Sequence, residues 1–197
     1  MIGAHDSYTY LRPTNILWCL IPFWWRCQTK SISYLYSKGV RMFDVRVAYD
    51  DKKRCWYTCH GLVNFKKRFN CLEDICTEFN RDYPNACFRI MFEKDTECFS
   101  DIFKTDIAEL GKKYNNLIGI YIKHPWEVIY EDNSYELKDY ACHLFNWSFG
   151  KTIKDNLKDF DFKSCNLKWW AAKHNPKITQ ELIDDKKIIY FMDYIKL

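Results

Sequence analysis

The sequence lacks a long apolar run, a strong charge of one sign and a leader-like start. Its most hydrophobic stretch, ILWCLIPFWW at residues 16–25, is too short for a bilayer-spanning helix, which needs about 20 apolar residues, and Pro22 interrupts it. No basic region is followed by a long apolar core, which excludes a secretory signal peptide. A formal net charge of +4 is too weak for the basic surface of a nucleic-acid-binding protein. We therefore expect a cytoplasmic protein without a nucleic-acid partner.

Metal-binding cysteine motifs are also missing. The chain has ten cysteines, yet no two are spaced Cys-x-x-Cys and no histidine pair completes a zinc set. The even number permits a disulfide framework, but a chain of this length with ample apolar content does not need one. Free thiols, buried as small hydrophobic side chains in a reducing compartment, are the favoured interpretation.

Glycine and proline are scarce, at six and five residues, and no low-complexity linker or internal repeat divides the chain. Apolar residues make up 48% of the sequence, which excludes a disordered protein. A chain of 197 residues suffices for one domain with a substantial core, so we expect a single domain over residues 1–197 and a monomer.

What is present is a series of short strands separated by modest helices. Residues 40–48, VRMFDVRVA, place Asp44 and Arg46 on one face of a strand and Phe43 and Val45 on the other. An apolar outer face with charges on the inner one fits a barrel strand whose inward side ends in a polar site. The sequence therefore predicts an α/β fold.

Ionisable residues recur near the ends of these strands. Active sites of barrel and open α/β folds form outside the carboxyl ends of the strands, so the recurrence indicates one polar site. The residues concerned are His5, Asp44, Arg46, His60, Lys94, Lys123, His124, Asp139 and Asp193.

These residue types suit phosphodiester cleavage without a metal. Two histidines, each with a possible carboxylate partner, can act as a paired base and acid. The neutral one would take the proton of an attacking hydroxyl, and the protonated one would give a proton to the leaving oxygen. Arg46 is a permanent planar cation that can stabilise charge on the phosphate in the transition state.

Three stretches carry a resemblance to a known family. GAHDSY, then GVRMFDVRV, then CHG resembles the X domain of phosphatidylinositol-specific phospholipase C, most strongly over residues 1–61. The resemblance implies a distorted, incompletely closed TIM-like barrel. It also implies a bacterial-type, metal-independent phosphorus-oxygen lyase without a cofactor, which releases diacylglycerol and a cyclic inositol phosphate. Relative to the family, the chain is expected to lack the extension before the first strand and the closing helix.

The family's catalytic residues are carried over where the motifs match. His5 matches the general base, which removes the proton of the inositol 2-hydroxyl, and Asp193 matches its carboxylate partner. His60 matches the general acid, with Asp6 as the neighbour that helps it protonate the diacylglycerol oxygen. Arg46 matches the arginine of the metal-independent members.

The same comparison bears on metal use. Asp44 matches the carboxylate two residues before the arginine, and Lys94 falls where metal-independent members carry a substrate-contacting lysine. Calcium-dependent relatives have acidic residues at the positions of Arg46 and Lys94, and two cations there would repel calcium, so no metal is expected. Glu93 and Asp95 flank Lys94, however, and a register shift of one residue would restore a ligand.

The residues that contact the head group are less well defined by the resemblance. The candidates for contact with the inositol ring rest on position alone, and they are Lys123, His124, Asp139 and Tyr140.

The aromatic stretch at residues 16–25 has two interpretations of equal weight. Trp18, Phe23, Trp24 and Trp25 either lie at a membrane interface near the mouth of the site, as a phospholipid substrate at a membrane surface requires, or cover one end of the core.

Two alternatives from other classes remain open. A glycerophosphodiesterase-like barrel enzyme would hold a metal with a carboxylate cluster, whereas a catalytically silent barrel would bind a lipid or a partner. The intact pairs of histidine and aspartate count against the silent barrel, since loss of activity is expected to break at least one of them.

Overall fold

Nine β-strands form one strongly curled sheet in the part of the chain that the computed structural model describes, which is residues 1–93, 101–123, 127–140 and 166–197. The strands are β1 (Ile2–Ala4), β2 (Met42–Asp50), β3 (Cys55–His60), β4 (Val63–Phe69), β5 (Cys87–Phe92), β6 (Leu117–Ile122), β7 (Glu127–Glu131), β8 (Glu136–Asp139) and β9 (Ile188–Met192). The α-helices are α1 (Ile32–Ser37), α2 (Leu72–Asp82), α3 (Asp101–Lys113), α4 (Leu167–His174) and α5 (Gln180–Asp184). Short 3-10 turns occupy Ser7–Tyr10, Ile16–Leu20 and Pro22–Trp24.

The strand order is that of an open barrel. Six strands run parallel in the order β6-β5-β2-β1-β9-β8, and β7 is added antiparallel beside β6. Within the described residues the two edge strands, β7 and β8, do not pair with each other. The predicted fold class, an α/β barrel that is TIM-like and incompletely closed, is confirmed.

The inside of the barrel and its outer surface have separate apolar clusters. The inner cluster consists of the buried residues Met42, Ile118, Ile189 and Phe191. Gly3 lies against this cluster, and a Cβ atom at that position would come within 3.0 Å of the Phe191 ring, so the close approach of β1 requires glycine. Outside the barrel, Phe43, Val45 and Val47 pack in the larger cluster that the helices cover. Burial of each such side chain contributes about 1.5–3 kcal/mol.

Strand β2 extends beyond the barrel and brings the chain back to its mouth. Residues 42–47 pair with β5 in the barrel, whereas residues 47–50 pair antiparallel with β3. The register of that hairpin pairs Val47 with Thr58, so β3 returns toward the carboxyl end of the barrel strands. His60, the last residue of β3, therefore lies at the same end of the barrel as Arg46.

The cysteines of the described ranges are unpaired. Seven free thiols are present there, and four of them are buried: Cys27, Cys55, Cys59 and Cys76. The disulfide framework left open by the even cysteine count therefore does not involve these seven positions.

Candidate active site

His5 follows the first barrel strand, and hydrogen bonds hold both its backbone and its ring. Its backbone N–H donates to the carbonyl of Met192 at 3.1 Å, and its carbonyl accepts from the Gln28 amide at 3.1 Å. The ring Nδ1 lies 2.8 Å from Oδ1 of the buried Asp193, just after β9. Because an ionised carboxylate only accepts hydrogen bonds, Nδ1 carries the proton and the lone pair of Nε2 faces the site.

Arg46 lies at the centre of the site. Its Nη2 contacts Nε2 of His5. Its Nε donates to Asp44 at 3.1 Å and its Nη1 donates to Glu93 at 3.2 Å. All of these groups are buried, so their charges interact more strongly than they would at the surface.

His60 reaches the site from the β2–β3 hairpin. Its Nδ1 lies 2.6 Å from the carbonyl oxygen of Trp25 and 3.4 Å from Oδ2 of Asp6. The next residue, Gly61, has a φ of 53°, which glycine adopts without strain, and its N–H donates to Glu93 at 3.0 Å. The turn after His60 is thereby joined to a carboxylate that also holds Arg46.

Five buried or half-buried charges alternate in sign across the site. They are linked in the order Arg89, Asp44, Arg46, Glu93 and Lys123. Burial alone would raise the pKa of Asp44, but Arg89 and Arg46 outweigh it and hold that pKa well below its usual range. Burial also opposes ionisation of Glu93, yet Arg46 and Lys123 lower its pKa to about 2. Both carboxylates are therefore ionised at neutral pH.

The pair of Asp6 and His60 differs from this charge chain. Asp6 has a φ of 44° in the left-handed region, and its N–H donates to Asp44 at 3.2 Å, while neither of its carboxylate oxygens accepts a hydrogen bond. Burial raises the pKa of Asp6 well above its usual value even though Arg46 opposes this. Burial and then Arg46 lower the pKa of His60 to about 4.

The two shifts correct the expectation that His60 itself is protonated. Because burial raises the pKa of Asp6 and lowers that of His60, both shifts favour the carboxyl group as the holder of the proton that the pair shares. Titration of such a close pair belongs to the pair rather than to either residue.

Glu93 does not offer the metal ligand that its sequence position suggested. Its Oε2 accepts from Arg46, and its Oε1 accepts from the N–H of Gly61 and from Lys123. Each oxygen of this carboxylate thus already contacts a cationic side chain. Asp95, the other alternative ligand, lies outside the described residues.

The candidates for substrate contact have different positions. Lys123 lies in the site through its ion pair with Glu93. Asp139 is in register with Phe191, on the barrel-facing side of β8 at the same end as Asp193. Lys94 and His124 lie outside the described residues.

Tyr140 does not point into the site, contrary to the prediction that it contacts the inositol ring. Its ring stacks on that of Tyr190 at 6.5 Å, and Tyr190 packs against the outer cluster of the barrel. Side chains of a strand alternate between its two faces, so Tyr190 lies on the face opposite Phe191, and Tyr140 lies on that same outer face.

The aromatic stretch divides into an exposed part and a buried part. Trp24 is 44% exposed, Phe23 is 38% exposed, and Trp18 is half-buried. Trp25 is buried against Phe65, and its Nε1 donates to the carbonyl of Trp18. The prediction of an interfacial Trp25 is therefore wrong, because that indole anchors the stretch to the hairpin that carries His60.

Six exposed apolar side chains lie in the segment 16–24 and in the turn after His60, and we call them the apolar rim. It consists of Ile16, Leu17, Leu20, Phe23, Trp24 and Leu62. Leu62 is the most exposed of them, at 77%, and it follows the His60–Gly61 turn directly. Among the described residues, no helix has the length and apolarity needed to cross a bilayer.

Four site residues have no signal in the sequence that singles them out. Arg89 donates to Asp44 from inside the barrel at 2.8 Å, and Gln28 joins the carbonyls of His5 and Met192. Glu93 was considered only as a metal ligand, and Cys27 only as one of many thiols. For Arg89 alone, the alternation of side chains along β5 could have indicated an inward position, because it places Arg89 on the same face as Met91 and Glu93.

The comparisons with known proteins bear on the fold. No family model matches the chain. No curated protein matches it in sequence. Among solved structures it is similar to the phosphatidylinositol-specific phospholipase C from Listeria monocytogenes, with a TM-score of 0.57 and 16% identity over 100% of this chain and 88% of that one. A variant of the corresponding enzyme from Staphylococcus aureus gives a TM-score of 0.54 and 14% identity over 98% of this chain and 84% of that one. At these identities the likeness establishes a shared fold.

Proposed function

We propose that the chain is a metal-independent phosphodiesterase that cleaves phosphatidylinositol or a related phospholipid into diacylglycerol and a cyclic inositol phosphate. One observation carries the proposal. Arg46 contacts the Nε2 atom of His5, which is paired with Asp193, and lies 3.8 Å from Asp6, which is paired with His60. A base, a cation and an acid are thus adjacent at the carboxyl ends of the barrel strands, in a fold shared with phosphatidylinositol-specific phospholipases C.

The base in this proposal is His5. Its Nε2 lone pair takes the proton of the inositol 2-hydroxyl, and the oxygen attacks the phosphorus atom to close the cyclic phosphate. The imidazolium that forms is stabilised by Asp193, 2.8 Å from Nδ1. Because Arg46 contacts Nε2 in the free protein, the substrate must first draw the guanidinium onto its phosphate.

The acid is the pair of Asp6 and His60. Nδ1 of His60 keeps its own proton, because it lies 2.6 Å from the Trp25 carbonyl, which only accepts. Once the proton that the pair shares is on the imidazole, the leaving diacylglycerol oxygen takes a proton from Nε2. The pair ends with one proton fewer and the diacylglycerol carries it. A negatively charged phosphate in the site favours the protonated imidazole, which counteracts the effect of burial on the pKa of His60.

Arg46 takes the place that a metal would otherwise have. A guanidinium is always charged and can donate two parallel hydrogen bonds to a phosphate. Asp44 and Glu93 hold it from behind, and Arg89 and Lys123 neutralise these two carboxylates in turn. The carboxylates that a metal-dependent phosphodiesterase would need are therefore already paired with cations, which supports the metal-free proposal over that alternative.

The apolar rim supports a substrate at a membrane surface. Exposed apolar patches rimmed by polar residues often mark interaction sites, and tryptophan suits the headgroup region of a bilayer. The rim adjoins His60 through Leu62 and through the Trp25 carbonyl, so a membrane held there would present a head group to the site.

Two neighbouring tryptophans form a matched pair for testing the rim. Trp24→Ala is expected to weaken binding to phosphatidylinositol vesicles by about 10-fold, because one exposed indole would no longer enter the interface. Hydrolysis of a soluble inositol phosphodiester should stay unchanged. Vesicle co-sedimentation and the two rate measurements provide the comparison.

Trp25→Ala is expected to act on the fold instead. Removing a buried indole costs about 3–5 kcal/mol, so the melting temperature should fall and both substrates should be affected alike. A Trp24→Ala variant that bound vesicles as well as the wild type would contradict a membrane role for the rim.

The pH dependence tests the shared proton. The wild-type rate should fall at high pH as the Asp6–His60 pair loses the proton that it shares. With Asp6→Asn the acid proton must reside on His60, whose pKa is lowered to about 4, so the falling limb moves to lower pH. The rate at pH 7 should then drop by about 10²–10³-fold. Asp82→Asn, at the exposed end of α2, serves as the control, and a profile for Asp6→Asn that matched it would refute the shared proton.

The proposed function is tested with phosphatidylinositol vesicles. Phosphorus NMR should detect a cyclic inositol phosphate with and without a chelator. Activity that disappears with chelator and returns with calcium would favour the metal-dependent alternative. Vesicle binding without any phosphate product would favour the silent barrel.

A further inference from the structure

Cys27 lies between the two pairs of histidine and aspartate. The side chain is fully buried, its Sγ is 3.9 Å from Nδ1 of His60, and the thiol donates to the carbonyl of Trp25 at 3.8 Å. Ligand atoms of Cys27, His5 and Asp193 also lie within 4.8 Å of one another. Its backbone is fixed as well, since its N–H donates to Thr9 at 3.0 Å and its carbonyl accepts from Tyr194 at 2.6 Å. The proposed reaction gives this thiol no part.

The sulfur belongs to a group with metal-binding dimensions. One ligand atom each from Asp6, Cys27 and His60 lies within 4.8 Å of the others. With bond lengths of about 2.0–2.3 Å, a tetrahedral zinc site separates its ligand atoms by about 3.3–3.6 Å. The separations of Nδ1 from the sulfur and from Oδ2 of Asp6 are 3.9 and 3.4 Å, close to these values.

An independent observation points to a cation at Asp6. Both carboxylate oxygens of Asp6 are buried and accept no hydrogen bond. A buried polar atom without a partner is costly, and a cation bound there would supply one.

We propose that Asp6, Cys27 and His60 bind a soft divalent cation such as Zn²⁺ or Cd²⁺. One sulfur, one imidazole nitrogen and one carboxylate oxygen form a donor set that such ions prefer, whereas Ca²⁺ and Mg²⁺ require mainly oxygen. A second group, made of His5, Cys27 and Asp193, is buried at all three positions. The side chain of His60 is 19% exposed, so solvent reaches the first group and can fill a fourth coordination position.

Binding is balanced in protons and charge. The Cys27 thiol releases its proton to the buffer, and so does the Asp6–His60 pair, so the dication replaces two protons. The imidazole then carries its remaining proton on Nε2 while Nδ1 bonds the metal. The Trp25 carbonyl then loses its contact with Nδ1. Arg46, 3.8 Å from Asp6, does not forbid a dication, because the surrounding carboxylates outnumber the permanent cations. The carboxylates are Asp6, Asp44, Glu93 and Asp193, and the cations are Arg46, Arg89 and Lys123.

The bound cation inhibits the reaction. This consequence rests on the proposed function, in which Asp6 and His60 supply the proton for the leaving oxygen. A metal between them removes the shared proton and fixes the imidazole. Zinc should therefore lower the rate, and a chelator should restore it, which is the opposite of the response of a metal-requiring enzyme.

Direct binding is measured first, without any substrate. Cadmium titration of the reduced protein, followed by thiolate-to-cadmium charge-transfer absorbance, should show a tight site that Cys27→Ser abolishes and Cys59→Ser retains. Asp6→Asn should weaken that site by at least about 10-fold. Melting curves of each variant establish that it is folded. Equal tight binding by the wild type and Cys27→Ser, or by the wild type and Asp6→Asn, would overturn the site.

Inhibition is measured separately, each variant being compared with its own zinc-free rate. Half-inhibition of Cys27→Ser should require at least about 10-fold more Zn²⁺ than half-inhibition of the wild type. The same zinc sensitivity in both would overturn the inhibitory role. If no phosphodiesterase activity is found, the cadmium result still decides whether the site exists, so the two proposals can fail independently.

Discussion

Replacing His5 with alanine is expected to lower the rate of phosphatidylinositol cleavage by about 10²–10⁴-fold, the usual contribution of a general base. Within the described residues, His5 is the histidine held by a buried carboxylate at one ring nitrogen while the other ring nitrogen contacts the central arginine. Without it, the inositol hydroxyl must lose its proton to water. The measurement is the initial rate of cyclic product formation, with vesicle binding recorded in parallel.

His174→Ala is the control for this loss. The ring of His174 in α4 stacks on that of Trp170 with 3.7 Å between ring centroids, and His174 does not belong to the charge chain. The rate of the His174→Ala variant should therefore stay within a few-fold of that of the wild type. Vesicle binding by the His5 variant should be preserved, because the apolar rim is untouched. A His5→Ala variant that kept more than a tenth of the wild-type rate would remove His5 from the role of base.

Arg46→Lys is expected to reduce the rate by about 10²–10³-fold although the charge is preserved. The guanidinium donates to Asp44 and Glu93 with two of its nitrogens while a third faces His5. An ammonium is a point charge that cannot hold both carboxylates and also present a fork to a phosphate.

Arg68→Lys provides the matched control, since that arginine lies at the surface of β4 and pairs with Asp50. The rate of the Arg68→Lys variant should be close to that of the wild type, because an exposed ion pair contributes only about 0–1 kcal/mol to stability. The Arg46 variant is compared at equal folded fraction, established by thermal melting. If Arg46→Lys and Arg68→Lys gave the same rate, the cation at the phosphate would have to be sought elsewhere.

Periodicity in the sequence was sufficient to place some of the barrel strands, with β2 as the clearest case. In β2, alternation put Asp44 and Arg46 on the inner face and Phe43 and Val45 on the outer one, and the structure agrees because both faces of a barrel strand are buried. The short first strand was inferable only through the resemblance, since Ile2–Ala4 is too brief for any period to appear.

Two strands had no adequate local signal. In β4 the run of Lys66, Lys67 and Arg68 interrupts the apolar positions, so the segment is not distinguishable from a basic loop. In β7, Glu127–Glu131, the apolar residues are only partly buried at the edge of the sheet, and their alternation is weak.

Contacts between distant segments could not be predicted from the sequence. Trp24 and Trp25 are neighbours of the same type, and only the position of Phe65 makes one of them buried and leaves the other exposed. Likewise, Cys27 and His60 are 33 positions apart in the sequence and meet only through the fold. Their spacing along the chain matches no metal-binding motif, so the sequence did not predict their contact.

The position of β1 between β2 and β9 has a consequence for how the protein is made. The hydrogen bond between His5 and Asp193 joins residues that are 188 positions apart, so nearly the whole chain must be synthesised before the pair can form. Contacts of such long range slow folding, because closing the loop costs chain entropy before the contact can form and offset that cost. A nascent chain that has not reached Asp193 cannot form this pair, whatever the state of the rest of the barrel.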